Sequence, residues 1–229
     1  MRSMQIFKTR EEWLKARRGT IGGSDAGAVV GVSPFRSSWE AWQDMTGQAQ
    51  RREPTQEALA RMKYGLQAEA PLRELFKLDF PEYNFQYYEN NLWTNDLLPW
   101  AHASLDGWMY DQDGRMGVWE CKTATIKTAD DLISLWGGHI PEIYYLQILH
   151  QMAVTGAEFA VVKAQLKLEY MANPVTVTRY YFYEREENRE LIFALMDQEK
   201  EFHRCLQDPA QGPPAWVKKP EETETEAEA

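Results

Sequence analysis

Residues 104–123 read SLDGWMYDQDGRMGVWECKT, and Asp106, Glu120 and Lys122 interrupt what is otherwise the pattern of a buried β-hairpin. An unpaired charge in such a place costs several kcal/mol, so these three groups need partners. Side chains two residues apart on a strand share a face. Glu120 and Lys122 therefore point one way with Val118, while Trp119 and Cys121 point the other. Gly107 lets the chain bend after Asp106, and if the two segments pair, Asp106 and Glu120 converge. Converging carboxylates repel, and one keeps its proton unless a cation lies between them. A hard divalent ion resolves the conflict, since Mg²⁺ takes carboxylate oxygens and water. Glu69, set in an apolar helical stripe, offers a third acid, and the backbone carbonyl of Cys121 a further oxygen. The Lys122 ammonium beside such a site can polarise an attacking water or meet charge growing on a phosphate. Phosphodiester hydrolysis needs that combination of groups.

The elements that must position these residues are readable along the chain. Thr9 with Glu12 forms a capping-box pattern that starts a helix in TREEWLKAR, and Ser37 with Glu40 starts another in SWEAWQDMTG, ended by Gly47. Between them the glycine-rich GTIGGS leads into a short helix, Ser24 to Val30, with Ser24 as its cap. Residues 56–78 have helical period, with Leu59, Met62, Leu66, Leu72 and Phe76 on one stripe. Pro71 interrupts that stripe and predicts a kink or a second helix start. Three strand-like segments follow: NFQYYENNLWTN, LPWAHASLDGWMYD and GRMGVWECKT, the last two joined by the turn signal DQDG. TADDLISLW and PEIYYLQILHQMAV read as helices, EFAVVKAQLKL and VTVTRYYFYE as an antiparallel pair, and Glu186 to Leu206 as a long helix. The order predicts a single α/β domain over residues 1–219, with a central mixed β-sheet flanked by helices. The last ten residues, PEETETEAEA, carry five acids and no base, the composition of a solvated, disordered tail over 220–229.

Composition narrows the function classes. The net charge of −10 argues against a strongly basic nucleic-acid binder, but its distribution does not. Residues 1–73 hold twelve Lys and Arg against eight Asp and Glu, so the N-terminal third can face phosphates. The N-terminus of a short helix capped by Ser24 is an anion site, and Arg17 can grip a phosphate with two donors. A plain helix cap and a surface arginine are the competing readings, and Arg18 is equally basic. His102, His139 and His150 share no ligand spacing, and Gln147 reads either as a core polar residue or as part of the site. Trp39 and Trp42 are candidates for an aromatic wedge at a DNA end. No run of 18 apolar residues suggests a membrane span. Two distant cysteines, Cys121 and Cys205, and the absence of a secretory signal predict a cytoplasmic protein.

Taken in order, W-x-x-x-R at Trp13–Arg17, G-T-I-G-G-S at 19–24, Y-G-x-x-x-E at Tyr64–Glu69, S-x-D-G at 104–107, W-E-C-K at 119–122 and the helix bearing Gln147 resemble the YqaJ-type viral recombinase family, to which phage lambda exonuclease belongs. The resemblance covers residues 9 to 170. It implies the restriction-endonuclease-like fold of the PD-(D/E)xK superfamily. It also implies a Mg²⁺-dependent alkaline exonuclease, holding one or two ions with Mn²⁺ as a substitute, that digests linear double-stranded DNA from 5′ ends. Such digestion leaves 3′ single strands for a single-strand annealing protein, and the resemblance further implies a ring-shaped homotrimer. Position by position, Asp106 and Glu120 match the metal-binding acids, Lys122 the catalytic lysine, Glu69 a further acid, Arg17 and Ser24 the 5′-phosphate site, and Gln147 a glutamine beside the active centre. Leu105 departs from the family's S-P-D-G, and Thr123 and Ala124 from its usual pair after the lysine. A structure- or site-specific endonuclease of the same superfamily, a catalytically silent recombination factor and a carboxylate-pair glycosidase are the alternatives.

Overall fold

The computed structural model describes residues 1–49 and 54–219. The expected acidic tail at 220–229, and part of the polar loop at 48–55, lie outside the described residues. In chain order the elements are β1 (Arg2–Ile6), α1 (Arg10–Ala16), β2 (Ile21–Gly22), α2 (Ala26–Val29), α3 (Ser38–Met45), α4 (Gln56–Asp79), β3 (Asn84–Gln86), β4 (Asn91–Asn95), β5 (Ala101–Ala103), β6 (Gly107–Tyr110), β7 (Met116–Ile126), α5 (Ala129–Trp136), α6 (Glu142–Thr155), β8 (Phe159–Leu168), β9 (Val175–Glu184) and α7 (Arg189–Gln207). The α/β class holds, and the central sheet is five-stranded and mixed, in the order β3-β6-β7-β8-β9. Only β7 and β8 run parallel in it, joined through α5 and α6 as a parallel crossover requires. A second, four-stranded sheet, β1-β4-β5-β2, was not foreseen. Its β1 is the N-terminal RSMQI, paired antiparallel with β4, and its β2 is a two-residue parallel pairing to β5.

Apolar alternation divides the central sheet into two faces. Val118, Ala160 and Val162 meet Ile148, Leu149 and Met152 of α6 on one side. Trp119, Cys121 and Val161 meet Leu72 and Phe76 of α4 on the other. Full burial of a side chain such as Phe76 contributes about 1.5–3 kcal/mol, so these two faces set where the helices lie. A third cluster, with Ile21, Val29, Trp42 and Phe202, ties the glycine-rich segment to α3 and α7.

Local sequence signals hold at several ends. Thr9 with Glu12 and Ser37 with Glu40 form complete capping boxes, and Thr128 caps α5. Three expectations need correcting. Helix α4 runs through Pro71 without a break, losing only the bond that residue's missing N–H would make. The stripe on α4 is only half buried: Leu72 and Phe76 are inside, while Leu59, Met62 and Leu66 stay exposed, and the first half of the helix meets the sheet through Tyr64, whose hydroxyl donates to Gln165 at 2.9 Å. Ser24 is not a cap; it lies within a 3₁₀ turn, Gly23–Asp25, and it is the Asp25 carboxylate that accepts the Gly22 N–H at 3.3 Å. No helix among the described residues is long and apolar enough to cross a membrane.

Beneath the second sheet, α6 and α7 bury an ionic pair. His150 Nδ1 donates to both Glu199 oxygens at 2.8 and 3.0 Å, and Nε2 donates to the His102 carbonyl at 2.8 Å. Both ring nitrogens face acceptors, so the imidazolium satisfies them. Burial alone would lower the His150 pKa, but the Glu199 charge and the two hydrogen bonds raise it above 6.5. Glu199→Ala is expected to cost about 3–5 kcal/mol of stability, because it strands a buried cation. Because His150's folded pKa is raised, the pair's contribution is fully present below its unfolded value and is lost as pH rises through the raised one. Urea unfolding of the wild type and variant on either side of that value tests both the size and the sign.

Candidate active site

The hairpin β6–β7 carries two acids to one point. Its turn closes with the Gly114 N–H donating to the Asp111 carbonyl at 3.1 Å, and Gly114 has the left-handed backbone (φ 78°) that glycine tolerates. This register sets Gly107 opposite Trp119, which leaves Asp106 opposite Glu120 at the strand end. Asp106 Oδ2 accepts the Cys121 N–H at 3.1 Å. Within an extended strand the N–H and C=O of one residue share an edge, and the ladder to β6 ends at Gly107. The Cys121 carbonyl therefore opens beside Asp106 rather than onto a strand.

The corner before Asp106 is braced. Asn91 bonds the Leu105 N–H and C=O, each at 2.9 Å, and Arg73 Nε donates to the Asp106 carbonyl at 3.0 Å. The bond to the Leu105 N–H is one that the family's proline could not make, so Asn91 supplies stiffness in another way.

Glu120 is buried, and its carboxylate accepts from three donors. Lys122 Nζ and Gln147 Nε2 reach Oε1 at 2.6 and 2.7 Å, and Gln151 Nε2 reaches Oε2 at 2.7 Å. Lys122 also donates to Gln147 Oε1 at 3.0 Å and lies 4.8 Å from the centre of the Tyr144 ring. Tyr144, Gln147 and Gln151 share one face of α6 at helical spacing. Gln151 and Tyr144 were not singled out from the sequence; the i+4 repeat of glutamine after Gln147 is the signal that points to the first.

Glu69 approaches from the other side of the sheet. Helix α4 crosses β7 at Gly65, where a Cβ would lie 3.5 Å from Thr123 Oγ1, and Glu69 follows one turn later. The acids feel one another. Burial, then Glu120, then Glu69 push the Asp106 carboxyl up to about 8 against the pull of Lys122. Burial and Glu120 also raise Glu69. Burial works to deprotonate Lys122, but the charges of Glu120 and Asp106 outweigh it and raise its pKa, so it is a permanent cation rather than a base. Burial, then the surrounding acids, drives the Cys121 thiol up, which removes it as a nucleophile.

A divalent cation suits this donor set in a specific way. Among the described residues no three His, Cys, Asp or Glu side chains stand close enough together to hold one ion alone. Asp106 and Glu120 are therefore the candidate ligands, with Glu69 electrostatically coupled to both rather than closing the set. Two carboxylates are what Mg²⁺ commonly uses, keeping water for the remaining positions. Burial and the Glu120 charge raise the Asp106 carboxyl further than Lys122 alone offsets, and a cation there would favour the ionised form.

Arg17 and Ser24 lie beside this centre. A Cβ on Gly23 would come within 3.4 Å of both Gln147 and Gln151, so the glycine-rich turn bearing Ser24 packs on the helix that holds Glu120. Ser24 is exposed there. Arg17 is half-buried, stacks 4.1 Å over Trp13 and donates Nε to His102 Nε2 at 2.9 Å, whereas Arg18 is exposed. The structure thus separates two arginines that chemistry alone could not. Trp42 is buried and is not presented as a wedge, while the half-buried Trp39 stacks on it.

A family model described as the YqaJ-like viral recombinase domain matches residues 12–158, a span containing every candidate site residue. The chain belongs to that family. A YqaJ-family relative, the uncharacterized protein YqaJ of Bacillus subtilis (strain 168), is 28% identical over 204 residues, 85% of this chain. The chain spans about half, 55%, of that relative's length. Among solved structures, the alkaline exonuclease LHK-Exo from Laribacter hongkongensis superposes with a TM-score of 0.54 at 19% identity, covering 88% of this chain and 98% of that one. A second structure, LHK-Exo in complex with dAMP, matches equally well. At such identity the likeness shows the fold, which is restriction-endonuclease-like.

Proposed function

We propose that this YqaJ-family chain is a metal-dependent deoxyribonuclease that digests linear double-stranded DNA from the 5′ end, leaving 3′ single strands for a single-strand annealing protein. The observation that carries the reading is the meeting of Asp106, Glu120, Lys122 and Gln147 around one point. Asp106, Glu120 and the Cys121 carbonyl would hold one or two Mg²⁺ ions, with Mn²⁺ as a substitute and Glu69 as an outer acid. Held there, such an ion would supply a water of lowered pKa and offset phosphate charge. The chain's own groups do the rest. Gln147 and Gln151 fix both oxygens of Glu120, so its carboxylate cannot rotate to meet Lys122 differently. Lys122, held protonated, donates toward the attacking water or the phosphoryl oxygens as negative charge builds. Arg17, with Ser24 on the adjoining turn, receives the terminal 5′ phosphate. A ring-shaped homotrimer acting in the cytoplasm completes the proposal by family resemblance, and light scattering of the purified protein would measure its assembly.

Incubation of a linear duplex and a closed circle with protein and Mg²⁺ tests the reading. The linear duplex is expected to lose nucleotides from 5′-phosphorylated ends, the circle to survive, and EDTA to stop digestion. Cutting of the circle would favour the endonuclease alternative, and DNA binding without turnover would favour the silent recombination factor.

A further inference from the structure

The polar layer under Arg17 is built in a way that phosphate binding alone does not explain. Arg17 Nε can only donate, so His102 Nε2, 2.9 Å away, is the unprotonated ring nitrogen. The ring proton then sits on Nδ1 and goes to Thr20 Oγ1 at 2.8 Å, and that hydroxyl passes its own hydrogen to the Arg17 carbonyl at 3.2 Å. The loop closes on Arg17 at both ends. His102 is held from below, its carbonyl accepting from the buried His150–Glu199 pair. It is held from above by Gly22, where a Cβ would come within 2.9 Å of Nε2.

The usual buried partner of an arginine is a carboxylate, which would neutralise it. Here the partner is a neutral imidazole, with Asp25 the nearby acid. Asp25 is already committed to Arg36 at 2.5 Å and to the Gly22 N–H at 3.3 Å, and Arg36 reaches on to Asp44. Among the described residues the two terminal amino groups of Arg17 make no hydrogen bond or ion pair. We propose that His102 is a positioning residue that fixes the Arg17 guanidinium by its Nε edge without spending its charge, leaving the two-pronged end for a terminal phosphate monoester. The inference rests on the assignment of Arg17 to the 5′ phosphate.

The test measures kcat and KM on duplexes ending in a 5′ phosphate or a 5′ hydroxyl, for wild type, Arg17→Ala, His102→Leu, His102→Gln, His102→Glu and the Arg17→Ala/His102→Leu double variant. His102→Leu is expected to raise KM for phosphorylated ends by about tenfold or more, as loss of an orienting partner does. His102→Gln, whose amide oxygen can accept from Nε, should restore most of the preference. His102→Glu should lose it despite keeping the hydrogen bond, because it neutralises Arg17. The double variant should be no worse than Arg17→Ala alone. Wild-type preference in His102→Leu or His102→Glu, or multiplying losses in the double variant, would overturn the proposal. So would a wild type that digests both ends equally, which would leave the nuclease assignment standing. If wild type digests neither duplex, the nuclease assignment fails instead. Binding of 5′-phosphorylated against 5′-hydroxyl oligonucleotide by the same variants then decides the role of His102, with equal binding of the two by wild type counting against it.

Discussion

Lys122→Met is expected to slow DNA digestion by about 10²–10³ in kcat while leaving the fold intact, the size of effect seen when one charge-stabilising donor is removed from a preorganised site. Methionine fills much of the same volume beside Tyr144, and Glu120 retains Gln147 and Gln151 as donors, so the carboxylate is not left without partners. Glu120 nevertheless loses its buried counter-charge, so some stability goes as well, and a thermal melt beside the rate measurement separates that cost from the loss of chemistry. Lys122 is held protonated and is not itself the titrating group, but its charge pulls the Asp106 carboxyl down, so its removal should move the rising limb of the pH profile at limiting metal to higher pH. A rate within threefold or so of wild type would contradict the role given to its ammonium.

The second large effect concerns protons at Asp106. Without a cation its carboxyl titrates near 8 instead of 3.8, because burial and the neighbouring Glu120 disfavour the charge. The folded chain then keeps a proton that the unfolded chain gives up. Stability from this group is full below the unfolded value and is lost as pH rises through the folded one. The metal-free protein should accordingly melt lower as pH increases across that window. A bound cation displaces the proton, so Mg²⁺ should stabilise more at alkaline pH than at acidic pH and should release close to one proton per site near neutrality. Calorimetric titration in buffers of different ionisation enthalpy counts that proton, and Asp106→Asn should abolish the release. The same linkage makes digestion at limiting metal rise toward alkaline pH. A Mg²⁺ stabilisation that is flat with pH would mean that Asp106 is not a ligand.

How far the site could be read from sequence depended on whether its contacts were local. Glu120 and Lys122 fall on one face because strand period fixes it, and Asp106 joins them because a four-residue turn fixes the register. The capping boxes at Thr9 and Ser37 are likewise contained within four residues. What escaped was decided by tertiary contact. Gln151 matters only because α6 lays it on Glu120, and His102 only because a two-residue strand brings Arg17 above it. The period of α4 correctly marked a helix but could not show which half of its apolar stripe packs into the core. Ser24 has the residue type of a cap, yet it lies inside a 3₁₀ turn, and α2 begins after Asp25 with no side-chain cap. The RSMQI strand was missed because five residues with two half-buried side chains carry almost no period-2 signal, and its partner β4 lies some ninety residues away.

Anomalous diffraction from crystals soaked in Mn²⁺ reads the cation site itself. A peak is expected between Asp106 and Glu120, within bonding distance of both, which disappears in Glu120→Gln. A well-folded protein whose only peaks lie elsewhere, or whose peak survives that substitution, would contradict that site.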